Sequence, residues 1–291
     1  LAATSPTVKN PTGQRSSLAA GLETRPAQLQ IGDMTFLMTR FLSRRQALGT
    51  VLAAPATAAL TGAAHADQTT LAAADQPPGQ CRLFPQAVEG PFYFDPKLVR
   101  SDISDGRPGM PLRLELRIIE TATCAAIPNA RVDVWHADAE GLYSGYAGQG
   151  AGRSVSTKGE RFLRGTQMTD ADGVVRFQSV YPGWYPGRAP HIHVKLFVGE
   201  KRVATAQVYF PDEFSARIYT TYEPYKLRSI ADTTNDEDGI FRSGERDGGG
   251  TVLAVNQDGE TVVAALLIGV DRTGQAAEHA ERGIFRRMLG L

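Results

Sequence analysis

Pro190-His191-Ile192-His193 stands at the head of an apolar stretch. On a strand, residues two apart share a face, so the two imidazoles project side by side while Ile192 turns to the opposite layer. A strand can in this way offer a metal two nitrogens. Taken alone, a His-x-His is more often incidental than ligating. No cysteine or carboxylate adjoins the pair, so a zinc site of the usual kind would lack its remaining ligands. Tyrosines stand there instead. Tyr181 and Tyr185 lie in the Pro- and Gly-rich stretch Ser179-Val180-Tyr181-Pro182-Gly183-Trp184-Tyr185-Pro186-Gly187-Arg188, and Tyr143 and Tyr146 follow Val134-Trp135-His136. Phenolates are hard anionic oxygen donors that suit a ferric ion better than zinc or copper(I). Two phenolates with two imidazoles imply Fe(III), and residue type alone leaves all four tyrosines open as donors.

Strands must position these groups. Leu112, Leu114, Leu116 and Ile118 alternate with Arg113, Glu115 and Arg117, the period-two pattern of a strand with one buried face, and Val132 and Val134 repeat it. Thr169-Asp170-Ala171-Asp172-Gly173 is turn chemistry leading into a strand over Val174 to Phe177. Val194, Leu196 and Val198 point inward after the histidines. A hairpin is expected near the end, with Val252 to Val255 and Val262 to Val270 flanking Asn256-Gln257-Asp258-Gly259. With 30 Gly and 17 Pro among 291 residues, the chain reads as all-β, an antiparallel sandwich with long loops. Lys plus Arg equals Asp plus Glu at 31 each, so the basic excess that nucleic acid attracts is absent.

Five ordered motifs resemble the intradiol ring-cleavage dioxygenases, the family of the catechol- and protocatechuate-cleaving enzymes. They are Glu89-Gly90-Pro91-Phe92-Tyr93; Asp133-Val134-Trp135-His136-Ala137 leading to Gly141-Leu142-Tyr143; Pro182-Gly183-Trp184-Tyr185-Pro186; Arg188-Ala189-Pro190-His191-Ile192-His193; and Gln207-Val208-Tyr209-Phe210. The resemblance implies a Greek-key, prealbumin-like β-sandwich holding one non-haem Fe(III) per chain through Tyr143, Tyr185, His191 and His193. By position Tyr143 matches the equatorial tyrosinate and Tyr185 the axial one, which substrate displaces. Arg188 matches the arginine that stabilises carbanion character in the bound substrate, and Gln207 the glutamine beside it. The implied reaction inserts both atoms of O2 into a catechol and opens the ring between the hydroxyl-bearing carbons, giving a cis,cis-muconate-type dicarboxylate. The spacing resembles the exported, single-domain members more than the catechol-specific branch with its helical dimerisation segment. Whether the chain forms a homo-oligomer stays open.

Residues 1–37 are expected to lie outside the functional protein, with translation starting at Met34 or Met38. Residues 38–66 carry a twin-arginine export signal: Ser43-Arg44-Arg45-Gln46-Ala47-Leu48, an uncharged run to Ala64, and Ala64-His65-Ala66 as the cleavage site. The expected product is periplasmic or extracellular and free of the membrane. Residues 67–80 read as a flexible lead-in, 81–271 as the catalytic sandwich, and 272–291 as a tail that is a short helix or loose. An isolated cysteine pair in an oxidising compartment, Cys81 and Cys124, is expected to be a disulfide contributing about 3 to 4 kcal/mol. His136 is read as a buried, hydrogen-bonded packing residue. Two rivals remain: a non-catalytic prealbumin-like binding module, and a copper oxidase or zinc hydrolase using His191 and His193.

Overall fold

The computed structural model describes residues 81–95 and 97–288. Residues 1–37, the expected export signal and the expected lead-in lie outside the described residues. In chain order the elements are β1 (Pro111–Glu120), β2 (Arg131–Trp135), β3 (Arg164–Met168), β4 (Val174–Val180), β5 (His191–Val198), β6 (Lys201–Tyr209), α1 (Asp212–Thr221), α2 (Gly239–Arg246), β7 (Ala254–Asp258), β8 (Thr261–Val270) and α3 (Gln275–Met288). They build two four-stranded sheets, ordered β4-β1-β8-β7 and β3-β2-β5-β6. No helix among the described residues is long and apolar enough to cross a membrane.

The alternation in β1 works as its sequence suggests: Leu112, Leu114, Leu116 and Ile118 are buried and face the second sheet, whose Val132, Val134, Ile192, Val194, Leu196, Ala206 and Val208 complete one core. Asp133 departs from simple alternation, because it is buried as well. It accepts hydrogen bonds from Thr166 Oγ1 at 2.7 Å and Tyr93 Oη at 2.9 Å, so the outer face of β2 is covered rather than solvated. β5 and β6 shift register at Leu196/Phe197, and Val198 beyond it is half-buried and still packs against the core.

An antiparallel sandwich is the expectation that needs correction. β1 pairs with β4 antiparallel but with β8 in parallel, Leu112 opposite Val262 through Glu120 opposite Val270. Parallel neighbours need a long crossover. Here it runs through the whole second sheet together with β4, α1, α2 and β7. The last hairpin is tighter than expected, since β7 runs through Asp258 and the reversal is confined to Gly259-Glu260. The tail is helical: α3 buries Ala277, and its Glu281 pairs with Arg202 of β6.

Cys81 and Cys124 are bonded across a separation of 43 residues. The bond ties the start of the described chain to the turn between β1 and β2. Reducing it, or replacing both cysteines by serine, is expected to lower unfolding free energy by about 3 to 4 kcal/mol through the freed loop. Urea unfolding with and without reductant reads this directly.

Candidate active site

β5 lies between β2 and β6, and its first turn of the pleat sends His191 and His193 to one face and the fully buried Ile192 into the core. His191 Nδ1 is 2.6 Å from Ala189 O, which fixes it as the protonated nitrogen and leaves Nε2 with a free lone pair. His193 stacks on Trp135 with ring centroids 4.7 Å apart, and its Nδ1 is buried without a partner. Its Nε2 lies 3.2 Å from that of His191.

Tyr143 arrives from the loop after β2. Its backbone is held by Gln149 Oε1, which accepts from Tyr143 N at 3.2 Å, and by Thr157 Oγ1, which donates to Tyr143 O at 2.6 Å. The ring stacks on Phe92, centroids 4.6 Å apart. Tyr185 opens a four-residue turn in which Arg188 N donates to Tyr185 O at 3.2 Å. Pro186 and a Gly187 at φ 78° are the residues a type II turn requires at its centre, and the reversal returns Arg188 toward the Tyr185 phenol. Upstream, Gly183 passes so close to the second chain segment that a Cβ would sit 2.3 Å from Ala139 O; only glycine fits there.

These placements bring four donor atoms together. Tyr143 Oη is 3.1 Å from His193 Nε2, 3.4 Å from His191 Nε2 and 3.4 Å from Tyr185 Oη, which is itself 3.2 Å from His191 Nε2. Donors sharing a small cation at about 2 Å stand roughly 2.9 to 3.4 Å from one another. The residues present therefore fit a metal. No three His, Cys, Asp or Glu side chains gather as a metal site among the described residues, so a metal here depends on the phenols.

The electrostatics agree. Burial, then the Arg188 charge, pushes His191 down to about 3, and burial also drives His193 well below the usual range, so both are neutral and able to donate. Burial pushes Tyr143 well up, and raises Tyr185 with Arg188 opposing. The set is uncharged on its own. A bound polyvalent cation would supply the field to expel the phenolic protons.

Arg188 is locked from three sides. Its Nε donates to Asp238 Oδ2 at 2.8 Å, its Nη2 donates to Gln207 Oε1 and to Tyr209 Oη at 3.3 Å, and its Nη1 reaches Tyr185 Oη at 3.4 Å. Gln207 is fixed in turn by donating from Nε2 to Val88 O at 3.0 Å. Residues 81–94 form a strap across the site: Val88 holds Gln207, Gly90 lies against the His193 ring, and Phe92 covers Tyr143.

The competing residues separate cleanly. Tyr146 Oη donates to Tyr93 O at 2.9 Å, and Tyr181 is a core residue whose Oη is 2.7 Å from Ser215 Oγ. Tyr219 and Tyr225 donate to Pro182 O and Tyr181 O, at 2.8 and 2.6 Å, and so brace the segment leading to Tyr185. Tyr222 Oη is held by Gln257. His136 bridges Ala137 O and Ser179 Oγ, each at 2.7 Å, as a packing residue. Asp238 was not singled out from sequence. Its Oδ1 caps α2 by accepting from Ile240 N at 2.8 Å, while Oδ2 holds Arg188 and Ala189 N. An aspartate just ahead of Gly239-Ile240-Phe241 is a helix N-cap signal that could have pointed to it.

Comparison with known proteins adds to this geometry. A family model described as Dioxygenase matches residues 85–238. The chain is 29% identical over 144 residues to the hydroxyquinol 1,2-dioxygenase of Corynebacterium glutamicum, covering 42% of this chain and 44% of the relative. It is 27% identical over 192 residues to the catechol 1,2-dioxygenase of Acinetobacter baylyi, covering 54% of this chain and 58% of the relative. The chain thus spans about half the length of these curated relatives. Among solved structures it resembles an intradiol ring-cleavage dioxygenase from Tetranychus urticae, with TM-score 0.59 and 30% identity, covering 66% of this chain and 96% of that one.

Proposed function

The chain belongs to the intradiol ring-cleavage dioxygenase family, and from that premise we propose that it is a non-haem Fe(III) enzyme inserting both atoms of O2 into a catechol-type substrate, opening the ring to a cis,cis-muconate-type dicarboxylate. The observation that carries this reading is the convergence of Tyr143, Tyr185, His191 and His193 on one point. These four would hold the iron. When bound there, ferric iron supplies a Lewis acid and the one-electron chemistry that dioxygen requires.

The protein's own groups do the rest. Tyr143 is fully buried and stacked, so it stays in place through turnover. Tyr185 sits on a turn and shares its hydroxyl with Arg188, so it is the side chain free to swing out, and as the phenolate that a bound metal would leave it could take a proton from a substrate hydroxyl. Arg188 presents a fixed cation to the resulting catecholate. Its fork is already oriented by Asp238 and Gln207, so little reorganisation accompanies substrate binding. Phe92 keeps water from the Tyr143 face. A binding module without chemistry has no use for four converging donors, and zinc or copper(I) would be poorly matched to two phenols.

Export in folded form belongs to the same reading. The Cys81–Cys124 bond supports it, because cytosolic thiols stay reduced. The test is metal analysis, the visible tyrosinate-to-iron absorption, and oxygen uptake with product mass on a catechol panel. One iron per chain, a coloured protein and a product heavier than substrate by two oxygen atoms are expected; an iron-free, colourless protein of full activity sinks the proposal.

A further inference from the structure

Tyr143 and Tyr185 reach the donor cluster from separate parts of the chain, the loop after β2 and the loop after β4. Those strands belong to different sheets, so ladder hydrogen bonds do not set the 3.4 Å between the two hydroxyls. The loops meet each other directly instead. Gly183 N donates to Asp138 O at 2.9 Å, and a Cβ on Gly141 would stand 2.3 Å from Trp184 O. Arg228, on the segment that follows α1, grips both loops from outside: its Nη1 donates to Ala139 O at 3.0 Å and its Nη2 to Trp184 O at 2.9 Å. One planar fork thus joins the segment leading into Tyr143 to the residue just before Tyr185.

Ion pairing does not account for that placement. Arg228 is half-buried, and among the described residues its nitrogens bond to carbonyls rather than to a carboxylate. Withdrawing a cation from water without a counter-ion is unfavourable, so the two bonds of the fork and its stacking must offset that loss. The stack is on Trp184, whose ring centroid lies 4.5 Å from the guanidinium carbon, and Trp184 Nε1 donates in turn to Ser229 O at 2.9 Å. On the far side of the turn, Gly187 N donates to Asp232 Oδ1 at 3.2 Å. The backbone is therefore fixed on both flanks of Tyr185, while the Tyr185 hydroxyl meets the side chains of Tyr143, His191 and Arg188.

We propose that Arg228 is a positioning residue of the candidate metal centre: by tying the two phenol-bearing loops together it sets the separation of the Tyr143 and Tyr185 oxygens and gives Tyr185 a fixed base from which to swing. The inference rests on the ring-cleavage reading and adds a residue that acts through its neighbours rather than on the substrate. A displacement of about 1 Å, even from a change far from the reacting atoms, can cost on the order of a hundredfold in rate. Lysine is no substitute, because an ammonium is a point charge without the planar fork that bonds two acceptors and stacks on an aromatic face.

The experiment titrates the metal-free full chain with ferric iron and then measures turnover of catechol, for the parent, Arg228→Lys and Arg228→Ala, the last also with millimolar guanidinium ion. Both variants are expected to bind iron about tenfold more weakly and to show a shifted tyrosinate-to-iron absorption maximum. Their kcat is expected to fall about ten- to a hundredfold, with KM within about twofold of the parent. Guanidinium restores part of the iron affinity and of kcat in Arg228→Ala and does nothing for the parent. Metal-free Arg228→Lys unfolds near the denaturant midpoint of the parent. Parent values of affinity, absorption and kcat in both variants overturn the inference. So does a metal-free Arg228→Lys protein that is unfolded, which makes Arg228 a stability residue, and so does an Arg228→Ala protein that guanidinium leaves unchanged. A parent that binds no iron is a different result, since it removes the metal reading beneath rather than the role of Arg228.

Discussion

Tyr143→Phe is expected to lose iron, colour and ring-opening activity together while keeping its fold. The Tyr143 hydroxyl meets only the other three donor atoms, and the ring contributes separately through its stack on Phe92, which phenylalanine preserves. Losing those contacts should cost about 1 kcal/mol of stability, an ordinary hydrogen-bond effect. On the proposed reading the same change also removes a metal ligand, a loss larger in kind. A Lewis acid is worth several kcal/mol of transition-state stabilisation, so turnover should fall on the order of a thousandfold or more. Metal content, visible absorption and oxygen uptake check this, with thermal unfolding to show that the variant folds. An iron-replete, coloured and active Tyr143→Phe protein would remove Tyr143 from the metal site.

Asp238→Ala should be the most destabilising single change near the site. The carboxylate is fully buried, pairs with Arg188, accepts from Ala189 N and caps α2 through Ile240 N and Phe241 N. Removing one partner of a buried pair leaves an uncompensated charge and costs about 3 to 5 kcal/mol. Loss of the cap adds about 1 kcal/mol. Asp238→Asn separates the two roles, because its amide oxygen can still cap the helix while the charge opposite Arg188 is gone. It is expected to recover much of the stability and still show a reduced kcat, since Arg188 is no longer held in register. Denaturant unfolding and steady-state kinetics on both variants decide; equal kcat in Asp238→Asn and parent would show that Arg188 needs no such brace.

How much of this the sequence discloses depends on the range of each interaction. His191 and His193 are legible because a period of two is a local property of a strand. The choice among phenols is not local. Tyr146 is taken out of contention by Tyr93, 53 residues away, and Tyr181 by a core that includes Phe210 and Tyr225. The motif resemblance selects Tyr143 and Tyr185, and side-chain type alone does not. Asp238 hides for a related reason: in sequence it is one acid among Asp236, Glu237 and Asp238, and only the return of α2 toward β5 gives it a distinct task. The parallel pairing of β1 with β8 leaves no mark in either strand's own pattern, since both orientations bury the same alternating face.

That pairing sets when the protein can become active. β1 gains its neighbour on one side only after the chain has been made as far as residue 270, about 150 residues later. The covering segment likewise meets residues 143, 193 and 207 only after they are in place. Contacts so distant demand loop closure before they return any stability, so assembly is slow and follows synthesis rather than accompanying it. The pocket is therefore a late product of folding, because the segment that covers it is itself anchored to β8 by Phe84 N, which donates to Gly269 O at 2.8 Å.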